Sequence, residues 1–104
     1  MRIIHPSDII RFEIRLETVP DPMYGRSEVL RSEESLASKS PAEIIELAKD
    51  LQERYSSTVY VLANQYTCED NVKRHFALQS HYVWHKWLDD AQVKGALSHL
   101  GIAL

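Results

Sequence analysis

The stretch Thr67–Leu88, TCEDNVKRHFALQSHYVWHKWL, holds both tryptophans, the only cysteine and three of the five histidines of this 104-residue chain. From Asn71 to Leu88 it has no acidic residue, although the whole chain carries 15 acidic against 12 basic side chains and a formal charge of -3. Read as a helix, Thr67 with Asp70 makes a loose capping box, and Glu69 and Asp70 in the first turn suit the helix dipole. At 100° per residue Val72, Phe76, Val83 and Trp87 then line one side, widened by Ala77, Trp84 and Leu88. That side is expected to face the core. Arg74, Leu78, His81 and His85 stack on the opposite side, flanked by His75 and Tyr82. The competing reading makes His81–Trp87 an extended strand.

Working outward, Asp89 with Gln92 is a second capping signal, so a further helix is expected from near Asp90. Val93, Ala96, Leu97 and Leu100 supply its apolar face, and Gly101 closes it. On the N-terminal side, Thr58–Ala63 is apolar on both alternating sets and rich in β-branched and aromatic residues, as a central, well-covered strand requires. Ser56-Ser57 separates it from a helix beginning at Ser40-Pro41-Ala42-Glu43. There Ser40 and Glu43 can cap reciprocally, and proline at the first helical position loses no hydrogen bond. Ile44, Leu47, Ala48, Leu51 and Tyr55 form that helix's apolar stripe.

Ile10–Glu17 alternates apolar residues at 10, 12, 14 and 16 with Arg11, Glu13, Arg15 and Glu17, which predicts an antiparallel strand with one wet face. Pro20, Pro22 and Gly25 end it. Residues 28–36 read as a second strand forming a hairpin with the first, or alternatively as a helix capped by Ser27. The expected architecture is one α+β domain over residues 1–104. It has a small antiparallel sheet of about three strands, in the order β-β-α-β-α-α, covered by helices.

Composition narrows the function. A hydrophobic fraction of 44% and a charged fraction of 26% are ordinary for a globular domain. The net negative charge disfavours long-range attraction to nucleic acid or anionic membrane. A single cysteine cannot form an intrachain disulfide and suits a reducing compartment. The start of the chain lacks a signal-peptide pattern, and no apolar run is long enough to span a bilayer, so the expectation is a cytoplasmic protein with no membrane role.

The residues of Thr67–Leu88 suit several chemistries. On a helix His81 and His85 can face one zinc ion, but no glutamate between them makes a zinc-protease motif, and paired surface histidines are the plainer reading. A helix N-terminus at Cys68 is expected to depress its pKa, with Glu69 and Asp70 pushing the other way, and no base stands beside it in sequence. Gly25, Gly95 and Gly101 are isolated, so no phosphate-cradling loop exists. The expectation is therefore a protein with no catalytic motif, no metal and no cofactor. Lys73, Arg74, Lys86 and the nearby aromatics give some support to nucleic-acid binding. Protein binding absorbs more of the features, with Arg74, His75, Leu78, His81, Tyr82 and His85 as the contact. The partner is another protein or a second copy in a homodimer. By analogy from size alone, an inhibitor, adaptor or accessory protein of a phage or mobile element fits this description.

Overall fold

The computed structural model describes residues 9–18, 27–69 and 74–104, with side chains throughout except at 67–69 and 74–78. Among these residues there are four strands and three helices. In chain order they are β1 (Ile9–Glu17), β2 (Ser27–Arg31), α1 (Glu33–Leu36), α2 (Pro41–Arg54), β3 (Val59–Glu69), β4 (Arg74–His85) and α3 (Asp90–His99). The strands form one antiparallel sheet in the order β2-β1-β3-β4. The α+β class expected from sequence holds, with one strand more than expected and a helix fewer after β3.

The additional strand is the main correction. Residues 74–85, expected to be helical, pair with β3 from Glu69↔Arg74 to Tyr60↔His85. Thr67 and Cys68 lie in β3 rather than at a helix start, so no helix dipole acts on the cysteine. The reading that left His81–Trp87 extended is right as far as His85, after which the chain turns. Residues 28–36 divide between their two readings: strand to Arg31, then a single helical turn. Ser32, not Ser27, caps that turn by accepting from the Ser35 amide.

The remaining elements start and stop where their caps place them. Ser40 Oγ accepts from Glu43 N at 3.2 Å and Glu43 Oε1 accepts from Ser40 N at 3.1 Å, with Pro41 opening α2. Those same bonds hold the Glu43 carboxyl below its ordinary pKa. At α3, Asp89 Oδ1 accepts from Gln92 N and Gln92 Oε1 from Asp89 N. Gly101 has φ +75°, and the bonds Gly101 N→Ser98 O and Ile102 N→Leu97 O form a Schellman termination. Gln52 bridges the turn from α2 to β3, donating to Tyr55 O and Ser57 O and accepting from Val59 N.

Strand alternation sorts the sheet into a helix-covered face and an open one. Ile14 and Leu16 pair with Val61 and Val59, and Phe12 with Ala63, so these residues share a face. Val83 and Trp84 join it from β4. Against it pack Leu36 of α1, Ile44, Ile45, Ala48 and Leu51 of α2, and Val93 and Leu97 of α3, all buried. At about 25 cal/mol per Å² of apolar surface removed from water, this one contiguous core is the main favourable term in the fold. The other face carries Arg11, Glu13, Arg15, Tyr60, Leu62, Asn64, Tyr66, Ser80, Tyr82 and His85.

Candidate functional site on the open sheet face

Two bulges in β4 decide which side chains reach this face. Val61 pairs with Trp84 but Leu62 with Tyr82, so Val83 is an extra residue; Gln65 pairs with Gln79 but Tyr66 with Ala77, so Leu78 is another. Without the first bulge, His81 and His85, four apart, would share a face. With it, His81 pairs with Ala63 on the helix-covered side and His85 with Tyr60 on the open side. Their partners on β3 are three residues apart, so at ~3.4 Å per residue they are also roughly 10 Å apart along the sheet. Shared zinc coordination by His81 and His85 is thereby ruled out. Among the described residues no group of three histidine, cysteine or acidic side chains is placed to hold a metal ion.

The contact stripe expected on a helix is redistributed by the same geometry. Tyr82 and His85 come together on the open face. His81 lies beneath α3, with Nε2 3.2 Å from Gln65 Oε1, and burial, aided by nearby His99, lowers its pKa. Arg74, His75 and Leu78 fall in β4, and their side chains lie outside the described residues, as does the pairing of His75 with Cys68 beyond its backbone register.

Two features occupy the open face. At its β4 end is an aromatic corner. The rings of Tyr60 and Tyr82 are 5.2 Å apart and tilted, and His85 meets the Trp87 ring edge-on at 5.7 Å. Lys86 Nζ stands 4.8 Å over the Trp87 ring. Tyr82 and Trp87 are 63% and 68% exposed, so these large rings are in water rather than in the core. The turn that presents Trp87 is tied by Leu88 N→His85 O and Trp87 N→His85 Nδ1. Trp87 was expected in the core and Tyr60 in a fully covered strand; both are instead part of the corner. Their sequence signals were present. Tyr60 is out of phase with Val59 and Val61, and Trp87 stands in the polar junction Lys86–Asp89 just ahead of a cap.

Further along is a polar network. Glu33 Oε2 accepts from the Tyr66 hydroxyl at 2.6 Å and from Asn64 Nδ2 at 2.8 Å, and Asn64 Oδ1 accepts from Ser80 Oγ at 2.6 Å. Asn64 is buried and satisfied on both sides of its amide, as a buried polar group requires. The bond to Glu33, with its charge and partial burial, pushes the Tyr66 hydroxyl up to about 12. A phenol holding its proton that firmly is a tie between α1 and β3, not a base or nucleophile at neutral pH. On β1, Arg15 joins Glu13 at 3.2 Å and donates to Ser27 Oγ at 2.8 Å, so its charge is spent within the sheet. On the opposite side of the molecule, a groove lined by Ala42, Ile45, Trp84, Val93 and Leu104 has a volume of about 270 Å³. That is below the usual range of ligand pockets.

No protein-family model, curated protein or solved structure matches this chain. No helix of the described residues is long and apolar enough to cross a membrane.

Proposed function

We propose that this chain is a non-enzymatic protein-binding domain of the inhibitor, adaptor or accessory kind, and that Tyr60, Tyr82, His85 and Trp87 on the open sheet face form its contact. The observation that carries the reading is the corner itself. Two large aromatic rings are well over half exposed and lie beside two more, at the edge of a sheet face that neither α2 nor α3 packs against. Tyrosine and tryptophan offer large rigid contact area at low entropic cost and dominate interface hot spots. Of the residues singled out from sequence, Tyr82 and His85 remain in this proposal.

The test is a paired variant, Tyr82→Ala with Trp87→Ala. Partners captured by the wild-type chain and identified by mass spectrometry are expected to be lost by the variant, while its melting temperature stays within a few degrees. Retention of the same partners removes the corner from the proposal. A second reading, single-stranded nucleic acid stacked on Tyr60 and Tyr82, draws on the same adjacent rings on an antiparallel sheet. It predicts oligonucleotide binding that weakens steeply with salt. No binding at low salt ends it.

A further inference from the structure

The two edges of the sheet are not alike. β2, at one edge, spans five residues, of which Glu28 and Arg31 are charged. Shortness and charge are the usual means by which an edge strand avoids pairing with other chains. β4, at the other edge, spans 12 residues, without proline or glycine. From Gln79 to His85 it carries no lysine, arginine or acidic side chain. Among the described residues, backbone bonds from outside the β3–β4 ladder reach β4 only at His85, whose carbonyl accepts from Leu88 N. The bulges at Leu78 and Val83 leave the run Gln79–Tyr82 in regular register between them. A strand of this length presents a row of backbone donors and acceptors along its outer side, the template used in strand addition.

The charge of the edge names what fits it. Lys86 stands exposed just past the end of β4, and the stretch Asn71–Leu88 has no acidic residue in a chain otherwise rich in them. An extended basic segment would meet Lys86 with no acidic side chain along Gln79–His85 to offset it. An acidic one finds its counter-charge at Lys86. We infer that the protein partner delivers an extended, acidic segment that adds to the outer edge of β4 as a fifth strand. Main-chain bonds supply the affinity, Lys86 sets the charge preference, and the aromatic corner lies next to the end of the added strand. This inference rests on the reading of the domain as a protein-binding module.

The probe is a synthetic ten-residue peptide alternating glutamate with valine and threonine, titrated into the isotope-labelled full chain with amide shifts followed by NMR. Shifts concentrated on Gln79–Trp84 are expected, with binding that weakens as salt rises. Methylating alternate peptide nitrogens removes the donors facing β4 in one phase only, so one methylated peptide is expected to lose binding and the other to keep it. Lys86→Glu, at an exposed turn position, is expected to weaken binding roughly two- to fivefold, the range of one cross-strand charge pair. Absence of β4 shifts at millimolar peptide overturns the inference, as does equal binding of both methylated peptides or of a lysine-for-glutamate version. A dimer by light scattering with the β4 amides already protected assigns the edge to a second copy and overturns it too. The Tyr82→Ala, Trp87→Ala variant separates the two levels. Losing the native partner while still binding the peptide sustains the corner and the edge separately; losing the partner in the variant while the wild-type chain also fails the peptide sinks only the edge, and a variant that keeps the partner sinks the corner.

Discussion

Ionising Tyr66 is the cleanest way to perturb the open face, because its hydroxyl oxygen lies 2.6 Å from, and donates to, a carboxylate oxygen that also accepts from Asn64. The hydroxyl is pushed up to about 12 from an ordinary 10. A gap of that size corresponds to roughly 2.7 kcal/mol between the two protonation states. Tyr66 is only partly buried, and solvent screening brings the net contribution to about 1 kcal/mol. The sign follows from linkage. A pKa raised in the folded state adds stability that is fully present below pH 10 and is lost as pH rises through about 12, because the unfolded chain releases the proton first.

The assay is the ultraviolet absorbance of tyrosinate, with far-ultraviolet dichroism reporting the fold. The chain has five tyrosines, and Tyr66 is expected to ionise last, as a separate late component. Glu33→Gln keeps an acceptor oxygen of the same shape but removes the charge. The late component is then expected to move back toward pH 10, and the loss of stability above pH 10 to flatten. At neutral pH the exchange of a charged for a neutral acceptor costs about 1 kcal/mol, a fall in melting temperature of roughly 4–8 °C for a domain of this size. A single tyrosine transition in the still-folded wild type, or a late component that survives Glu33→Gln, refutes the reasoning.

Other outcomes follow from the same coordinates. His81 is held neutral by burial beside His99, so its contribution is full above about pH 6.5 and declines as pH falls through its lowered folded value; thermal melts from pH 7.5 to 5 should show a drop that His81→Gln reduces, and equal slopes would remove His81 as the cause. Leu97→Ala, at a fully buried site of α3, is expected to cost about 2–5 kcal/mol by chemical denaturation, whereas Trp87→Ala, despite deleting the larger side chain, should cost under about 1 kcal/mol. Equal costs would place Trp87 in the core. Gly101→Ala meets no atoms within 4 Å but must adopt φ +75°, so a loss of roughly 1 kcal/mol is expected from backbone strain alone; an unchanged midpoint would show that the turn relaxes.

What was legible in the sequence is what local chemistry dictates. The Ser40/Glu43 and Asp89/Gln92 boxes place both long helices to within a residue, because a capping box satisfies particular amides whatever the rest of the chain does. The alternation from Ile10 to Glu17 is unbroken over its whole length, so β1 and its faces could be read directly. β4 had no such clarity. Each bulge advances the chain one residue without changing faces, so the two-residue period lapses at Leu78 and again at Val83. Val83 and Trp84 both enter the core. With Val72, Phe76 and Trp87 they give apolar spacings of three and four residues, which are those of a helix. Thr67 and Asp70 then looked like its cap.

The same bulge explains why the candidate contact was only partly visible. Helical spacing groups Tyr82 with His85 in the sequence, yet they share a face because the extra residue Val83 restores both to one side of a strand. Remove that residue from the count and His85 would pass to the covered side while Trp84 came out into water, exchanging a buried indole for an imidazole. The sheet avoids this because burying the Trp84 ring against α2 and α3 removes far more apolar surface from water than any regular ladder recovers by one extra hydrogen bond. The core's demand for Trp84 thus fixes the bulge, and the bulge in turn places His85 and the Lys86–Trp87 turn beside Tyr60 and Tyr82. In that sense the aromatic corner is a consequence of core packing, and its position depends on Trp84, a residue that is not itself part of it.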